Sequence, residues 1–285
     1  MRDCTNLTAI NVAPGNSNYS SVSGVLFDKY RKKLLQYPIN KKGSSYTVPS
    51  SVEVIRSCSF MNNRHLQSVT VSAEKIHNHA FSRMKKLKRL VIGNGVHNIA
   101  YRAFNGNDSL STVVMADSVK VIGEDAFEGR AIKRIRIPSG ITRLASDAFD
   151  ECSRLEAFEG SPNGKYPVID GVLYENGGKT LREYPRRKAD RTFSVPAKVT
   201  RVKYRAIYGV RKLKRLCFEN TIKNLASYSI ANCATLKEIV FADGTKLNGG
   251  WYAVESCDRL AVIVGPKQPV LISMAKNADA TLITL

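Results

Sequence analysis

The feature that most constrains this chain is a period. The last residues of "CSF" (Phe60), "HAF" (Phe81), "RAF" (Phe104), "DAF" (Phe127), "DAF" (Phe149), "RAI" (Ile207), "YSI" (Ile230) and "YAV" (Val254) mark eight occurrences of one pattern, spaced 21, 23, 23, 22, 58, 23 and 24 residues apart. Leucine follows six residues after seven of these markers, at Leu66, Leu87, Leu110, Leu155, Leu213, Leu236 and Leu260, while Ile132 comes one residue early. Three residues further lies a second apolar position (Val69, Leu90, Val113, Ile135, Phe158, Leu216, Ile239, Ile263). Two beyond that lies a third, such as Val71, Ile92, Met115, Ile137, Phe218 and Phe241. Residues two apart share one face of a β-strand, so each L-x-x-I-x-I run predicts a short strand entering a core.

A period near 22 has room for one strand, a turn and a return segment, which is the size range of a leucine-rich repeat. The marker is expected to begin the return segment and to point inward onto its counterpart in the next coil. No such coil buries its core alone, so stability is shared along the array. The expected fold is an α/β-type repeat solenoid built from repeats of about 22–23 residues. Short parallel strands alternate in it with irregular or short helical returns, and a single solenoid spans residues 1–285.

The long gap between Phe149 and Ile207 holds one coil and an insertion, and a second insertion precedes Phe60. "SGVLFDKYRKKLLQYP" at 23–38 matches "DGVLYENGGKTLREYP" at 170–185 with a constant offset of 147 residues. Tyr46, Val48 and Pro49 likewise match Phe193, Val195 and Pro196. Each insertion, at about residues 16–48 and 163–195, reads as a β-hairpin: G-V-L-aromatic, a polar turn, then L-x-x-Y-P. Asn176 and Gly177 suit the positive φ of a tight turn, and the proline ends the second strand because it cannot donate to a ladder.

The run "VIGEDAFEGRAIKRIRIPSGITRLASDAFDECSRLEAF" resembles the BspA-like leucine-rich repeats of bacterial surface proteins, whose coils read approximately I-x-x-x-A-F-x-x-C-x-x-L-x-x-I-x-I-P. The resemblance covers nearly the whole chain. It departs from the pattern where Ile207, Ile230 and Val254 replace Phe, and at Gly160 and Gly265, where the third strand position has no side chain. It implies a cell-surface or secreted protein that mediates adhesion to host matrix proteins or to other bacteria, acts as a monomer and needs no cofactor. Hairpins of this kind are common in the family. "MRDCTNLTAI" aligns with "FDECSRLEAF" and puts Met1 in the marker slot. The chain is therefore expected to begin partway through a coil, as a fragment lacking its signal peptide and N-terminal cap.

Cys4, Cys152, Cys233 and Cys257 each stand three residues before the leucine, in one slot of the coil. A small apolar thiol suits a tight buried turn. Buried free thiols are the first reading, with a stacked Cys233 to Cys257 disulfide and metal binding as alternatives.

Candidate chemistry is sparse. A phosphate loop needs glycine five residues before its G-K-T, and for Gly178, Lys179 and Thr180 that position is Leu173. "HNH" at 77–79 lacks a third ligand in the same turn and reads as a solvated turn. No nucleophile elbow or comparable signature is present, so no enzyme is expected. No stretch approaches the roughly 20 apolar residues of a membrane span.

Charge is the informative remainder. Among 285 residues, Lys and Arg outnumber Asp and Glu by 44 to 24, for a net charge of +20. Such a surface attracts anions. Between the inward strand positions lie Lys88, Arg89, Lys133, Arg134, Arg136, Lys214, Arg215 and Lys237. With strands about 4.8 Å apart, charges from successive coils would form a ladder on a concave face. Such a ladder would match a glycosaminoglycan, another anionic polysaccharide or extracellular nucleic acid. Glu156, Glu159, Glu219 and Glu238 dilute it, and the coil with Ser111, Thr112 and Val114 is neutral.

Overall fold

The structure, a computed structural model, describes residues 4–219 and 221–285. The Met1 position lies outside these residues. The chain divides between Ser153 and Arg154 into two compact units, each a stack of coils.

In the first unit the L-x-x-I-x-I runs form the expected strands. Ser45–Thr47, Ser68–Val71, Arg89–Ile92 and Thr112–Met115 pair in parallel, with Val69 beside Leu90 and Leu90 beside Val113. A second parallel ladder was not foreseen. It consists of two-residue strands at Val54–Ile55, Lys75–Ile76, Asn98–Ile99, Val121–Ile122 and Arg143–Leu144. In each, the second residue points into the core. At its start this ladder joins antiparallel strands Tyr19–Val22, Val25–Asp28 and Lys33–Gln36, with Leu34 beside Ile55.

The marker rings stack. Phe60 and Phe81 lie 4.5 Å apart between centroids, Phe81 and Phe104 5.2 Å, Phe104 and Phe127 5.3 Å, and Phe127 and Phe149 6.0 Å, with planes within 21° of parallel. Tyr37 extends the column, 5.0 Å from Phe60. The tyrosine of "QYP" therefore occupies a marker slot, 23 residues before Phe60, and Tyr184 stands the same distance before Ile207.

The segment around each marker also explains why the return is not helical. At Phe60 and Phe81 the residues two before and two after have positive φ: Cys58 (61°) and Asn62 (63°), then His79 (57°) and Arg83 (56°). Left-handed geometry costs a non-glycine residue about 1–2 kcal/mol and cannot continue an α-helix. It is held by hydrogen bonds. The N–H groups of Cys58, Phe60 and Asn62 donate to Asn78, Ala80 and Ser82 of the next coil, and His79, Phe81 and Arg83 donate to Tyr101, Ala103 and Asn105. Three such bonds, each contributing about 1 kcal/mol net, offset the strain of the two turn residues. The α/β expectation is accordingly corrected: among the described residues the one α-helix is Pro269–Asn277, and the returns are turns and two-residue strands.

The second unit has the same plan. Thr192–Val195, Arg215–Phe218, Glu238–Phe241, Val262–Gly265 and Thr281–Thr284 form its longer parallel ladder. Val168–Ile169, Val172–Glu175 and Thr180–Glu183 are antiparallel, with Leu181 beside Val202 of the two-residue ladder. Here the aromatic bulk has changed slot. The markers Ile207, Ile230 and Val254 are aliphatic and fully buried, and the stacked pair, at 4.9 Å, is Phe218 and Phe241 on the strands. At Gly265 a Cβ would lie 2.8 Å from Leu271 and 3.0 Å from Phe241. The missing side chain makes room for the helix, which buries Val270, Leu271, Met274 and Ala275 on the last coil.

Phe104→Ala, in the middle of the stack, is expected to cost about 3–5 kcal/mol, against about 1 kcal/mol for Ile207→Val. Guanidinium denaturation midpoints measure both. Ser256, two residues after its marker at φ 49°, occupies the slot filled by Gly106 and Gly209 in other coils. Ser256→Gly is expected to raise stability by about 1 kcal/mol in the same experiment.

Candidate functional site

The strand register decides what the cations can do together. Lys88, Arg89, Lys133, Arg134, Lys214, Arg215 and Lys237 are all exposed. Arg89 has Ser68 on one side and Thr112 on the other, so the charge does not continue across those strands. Arg136 turns onto the neighbouring coil, where it donates to Asp117 at 2.8 Å and to the Met115 carbonyl at 3.2 Å. The Arg136 guanidinium and two hydrogen bonds from Ser139 hold the Asp117 carboxyl well below the usual carboxylate range. Arg215 is in register with Glu238 and pairs with it at 3.3 Å. Lys214 and Lys237 follow one another in successive coils, because the Lys214 carbonyl accepts the Lys237 N–H.

The segments that resemble catalytic or metal motifs are structural. Asn176, Gly177 and Gly178 all take positive φ and form the turn between Val172–Glu175 and Thr180–Glu183. Thr180 is buried, and Arg182, with its side chain 3% exposed, pairs with Glu175 at 2.7 Å. His77 and His79 lie on the turn before Phe81, where burial and then Arg56 and Lys75 lower the His77 pKa. No group of three or more metal-ligating side chains occurs among the described residues.

The slot three before the leucine works through hydrogen bonding as well as size. Cys152 donates to the Phe127 carbonyl at 3.3 Å and Cys233 to the Ile207 carbonyl at 3.2 Å, in each case the marker of the preceding coil. Asn107, in the same slot, reaches Phe81 in the same way at 3.0 Å. All six cysteines are free. Cys152, Cys233 and Cys257 are buried, whereas Cys4 is exposed, against the expectation for its slot. A hydrogen bond with Cys257 and burial push the Cys233 thiol up, which keeps it protonated.

Sequence reasoning missed an aromatic edge. Tyr204 (61% exposed), Tyr228, Trp251 (49%) and Tyr252 (61%) stand two or three residues before the markers of three successive coils. Tyr204 and Tyr228 meet edge to face at 6.2 Å, and the Tyr228 N–H donates to the Tyr252 carbonyl at 2.6 Å. Arg205 and Arg186 cover Tyr208 beside them, at 3.8 and 5.1 Å from its ring centre. The signal was present in their recurrence two or three residues before successive markers. In the first unit the equivalent positions hold His79, Tyr101 and Arg102, the last paired with Asp125.

Three kinds of comparison bear on this chain. It resembles a leucine rich cell surface protein from Faecalibacterium prausnitzii at 20% identity, covering 94% of this chain and 86% of that one, with a TM-score of 0.59. A leucine-rich repeat protein from Eubacterium ventriosum matches at 20% identity over 95% and 83% of the two chains (TM-score 0.64). The pneumococcal vaccine antigen PcpA matches at 13% over 98% and 100% (TM-score 0.57). At these identities the likeness is one of fold. No curated protein matches. A family model described as "BspA type Leucine rich repeat region" matches in six copies over residues 37–156 and 189–278. With stacked markers, parallel strand ladders and that match over most of its length, the chain belongs to the BspA-type leucine-rich repeat family.

Proposed function

We propose that the chain is a binding scaffold of a bacterial surface or secreted protein, which adheres as a monomer to proteins of the host matrix or of other bacteria. The observation that carries this reading is the exposed edge of Tyr204, Tyr228, Trp251 and Tyr252. Solvent-facing aromatic rings gathered on successive coils are costly to leave in water. Tyrosine and tryptophan are also the side chains that most often anchor protein interfaces. The antiparallel strands at Tyr19–Gln36 and Val168–Glu183 read as insertions into the repeat, and the first carries Tyr30, 81% exposed, at its tip as a further contact. Among the described residues no helix is long and apolar enough to cross a membrane.

A second reading is polyanion binding on the outward faces of the strands. It is favoured by Lys88, Arg89, Lys214 and Lys237, which are exposed and make no ion pair among the described residues.

The first reading is tested on immobilised fibronectin, fibrinogen, laminin and collagen by interferometry. Tyr204→Ser, Tyr228→Ser and Tyr252→Ser combined are expected to weaken the bound pair at least about 100-fold with little change between 0.15 and 0.5 M salt. Binding that survives the triple substitution removes the aromatic edge from the proposal. For the second reading, Asp117→Asn with Glu238→Gln releases Arg136 and Arg215, so elution from heparin should shift to higher salt. Lys88→Glu with Arg89→Glu should shift it lower. Unchanged elution in both counts against the strand face.

A further inference from the structure

The strand faces mix cations with acids and neutral residues, but two of the clefts beside the loops that lead into the strands are lined by cations and neutral residues without acids. In the second unit a cleft of about 400 Å³ is lined by Arg191, Arg211, Lys212 and Lys214 with Ala189 and Thr235. In the first unit a cleft of about 400 Å³ is lined by Arg64, Arg83, Lys85 and Lys86 beside Asn62 and Asn63. Among the described residues no carboxylate lines either cleft and none of these eight cations forms an ion pair. Nearby cations outside the clefts do: Lys188 with Asp190 at 2.8 Å and Arg215 with Glu238.

The two clefts lie on corresponding coils of their units and share one corresponding cation. Each is centred on the coil that follows a "YP" of the duplicated segment, between its marker and its longer strand. Arg64 and Arg211 hold one position of the duplication, 147 residues apart. In both, the backbone that carries the charges is fixed. Asn63 accepts from the His65 and Leu66 N–H groups and donates to the Pro38 and Ile39 carbonyls. Arg211 donates its N–H to Arg186, Lys214 donates its own to Arg191, and the Thr235 hydroxyl donates to Leu213. Four like charges held around one concavity repel one another, and an anion that enters relieves the repulsion. The field is felt by His65, whose pKa is lowered by burial and by Lys42, Lys86 and Arg64.

We propose that each unit carries an anion-binding cleft, at Arg64, Arg83, Lys85 and Lys86 and at Arg191, Arg211, Lys212 and Lys214, which takes the sulfate or phosphate groups of a charged saccharide. Arginine and lysine together suit a tetrahedral oxyanion approached from several sides. The volume admits a small charged ligand of one or two sugar residues. No aromatic ring lines either cleft, so the stacking platform on which single-stranded nucleic acid depends is missing. This site is separate from the aromatic edge and does not depend on protein recognition there.

Calorimetry with a heparin-derived tetrasaccharide, its desulfated counterpart and a hexose bisphosphate tests the proposal. The sulfated or the phosphorylated saccharide is expected to bind at two sites per chain, the stronger of the two identifying the source of the oxyanion, and the desulfated form not to bind. Arg64→Gln with Lys86→Gln, and separately Arg211→Gln with Lys212→Gln, should each weaken one site about 10-fold or abolish it, leaving one site per chain. These side chains are exposed, and circular dichroism checks that each variant folds as the parent does. Lys198→Gln with Lys246→Gln, on turns beyond the other end of the strands, should leave both sites intact. Three results would overturn the proposal: equal loss in that control, which would mean a diffuse basic surface; equal binding of the desulfated saccharide; or tighter binding of oligo-dT or oligoglutamate through the same residues.

Discussion

Each coil of this protein leaves its core open on two sides, and only the adjoining coils close it. The stack of Tyr37, Phe60, Phe81, Phe104, Phe127 and Phe149 is the visible form of that dependence. A ring buried between two others contributes roughly 1.5–3 kcal/mol through area removed from water, and the same ring in an isolated coil would lose most of it. The period must therefore be kept, whereas the identity of a residue at any one slot need not be. The second unit shows this, with its aromatic pair moved from the markers to Phe218 and Phe241.

Polar groups follow the same rule. The left-handed residues around Phe60 and Phe81 are tolerated because their amides find carbonyls one coil away. Asparagine and cysteine share a slot because each can donate to the carbonyl of the preceding marker. The ion pairs Arg102 to Asp125 and Arg136 to Asp117 likewise join neighbouring coils. Exposed pairs of this kind contribute little stability, but they determine which cations remain available to a ligand.

The strands, the inward markers and the buried thiols at 152, 233 and 257 were legible from spacing, because apolar periodicity reports burial directly. The two-residue ladder was not, since a single inward residue such as Ile55, Ile76 or Ile99 carries no alternation. Tyr37 and Tyr184 were hidden for a different reason: their "YP" context resembles the end of a hairpin, and only the 23-residue distance to the next marker places them in marker slots. For the candidate site, the sequence yielded the cations but not their partners. Register put Glu238 beside Arg215 and neutral residues beside Arg89. The loop-edge clefts were invisible because the cations of each come from two coils, 19 to 23 residues apart in sequence.

Trp251 is the chain's only tryptophan, and it stands half exposed at the aromatic edge next to Tyr252. Indole emission depends on the water around the ring. The protein thus has a single indole placed where a partner would cover it. Its emission maximum and quenching by iodide report on that edge alone, free of background from the stacked phenylalanines or from any other indole. Occupancy of the edge can therefore be followed in the unlabelled chain, separately from whatever binds at the basic clefts.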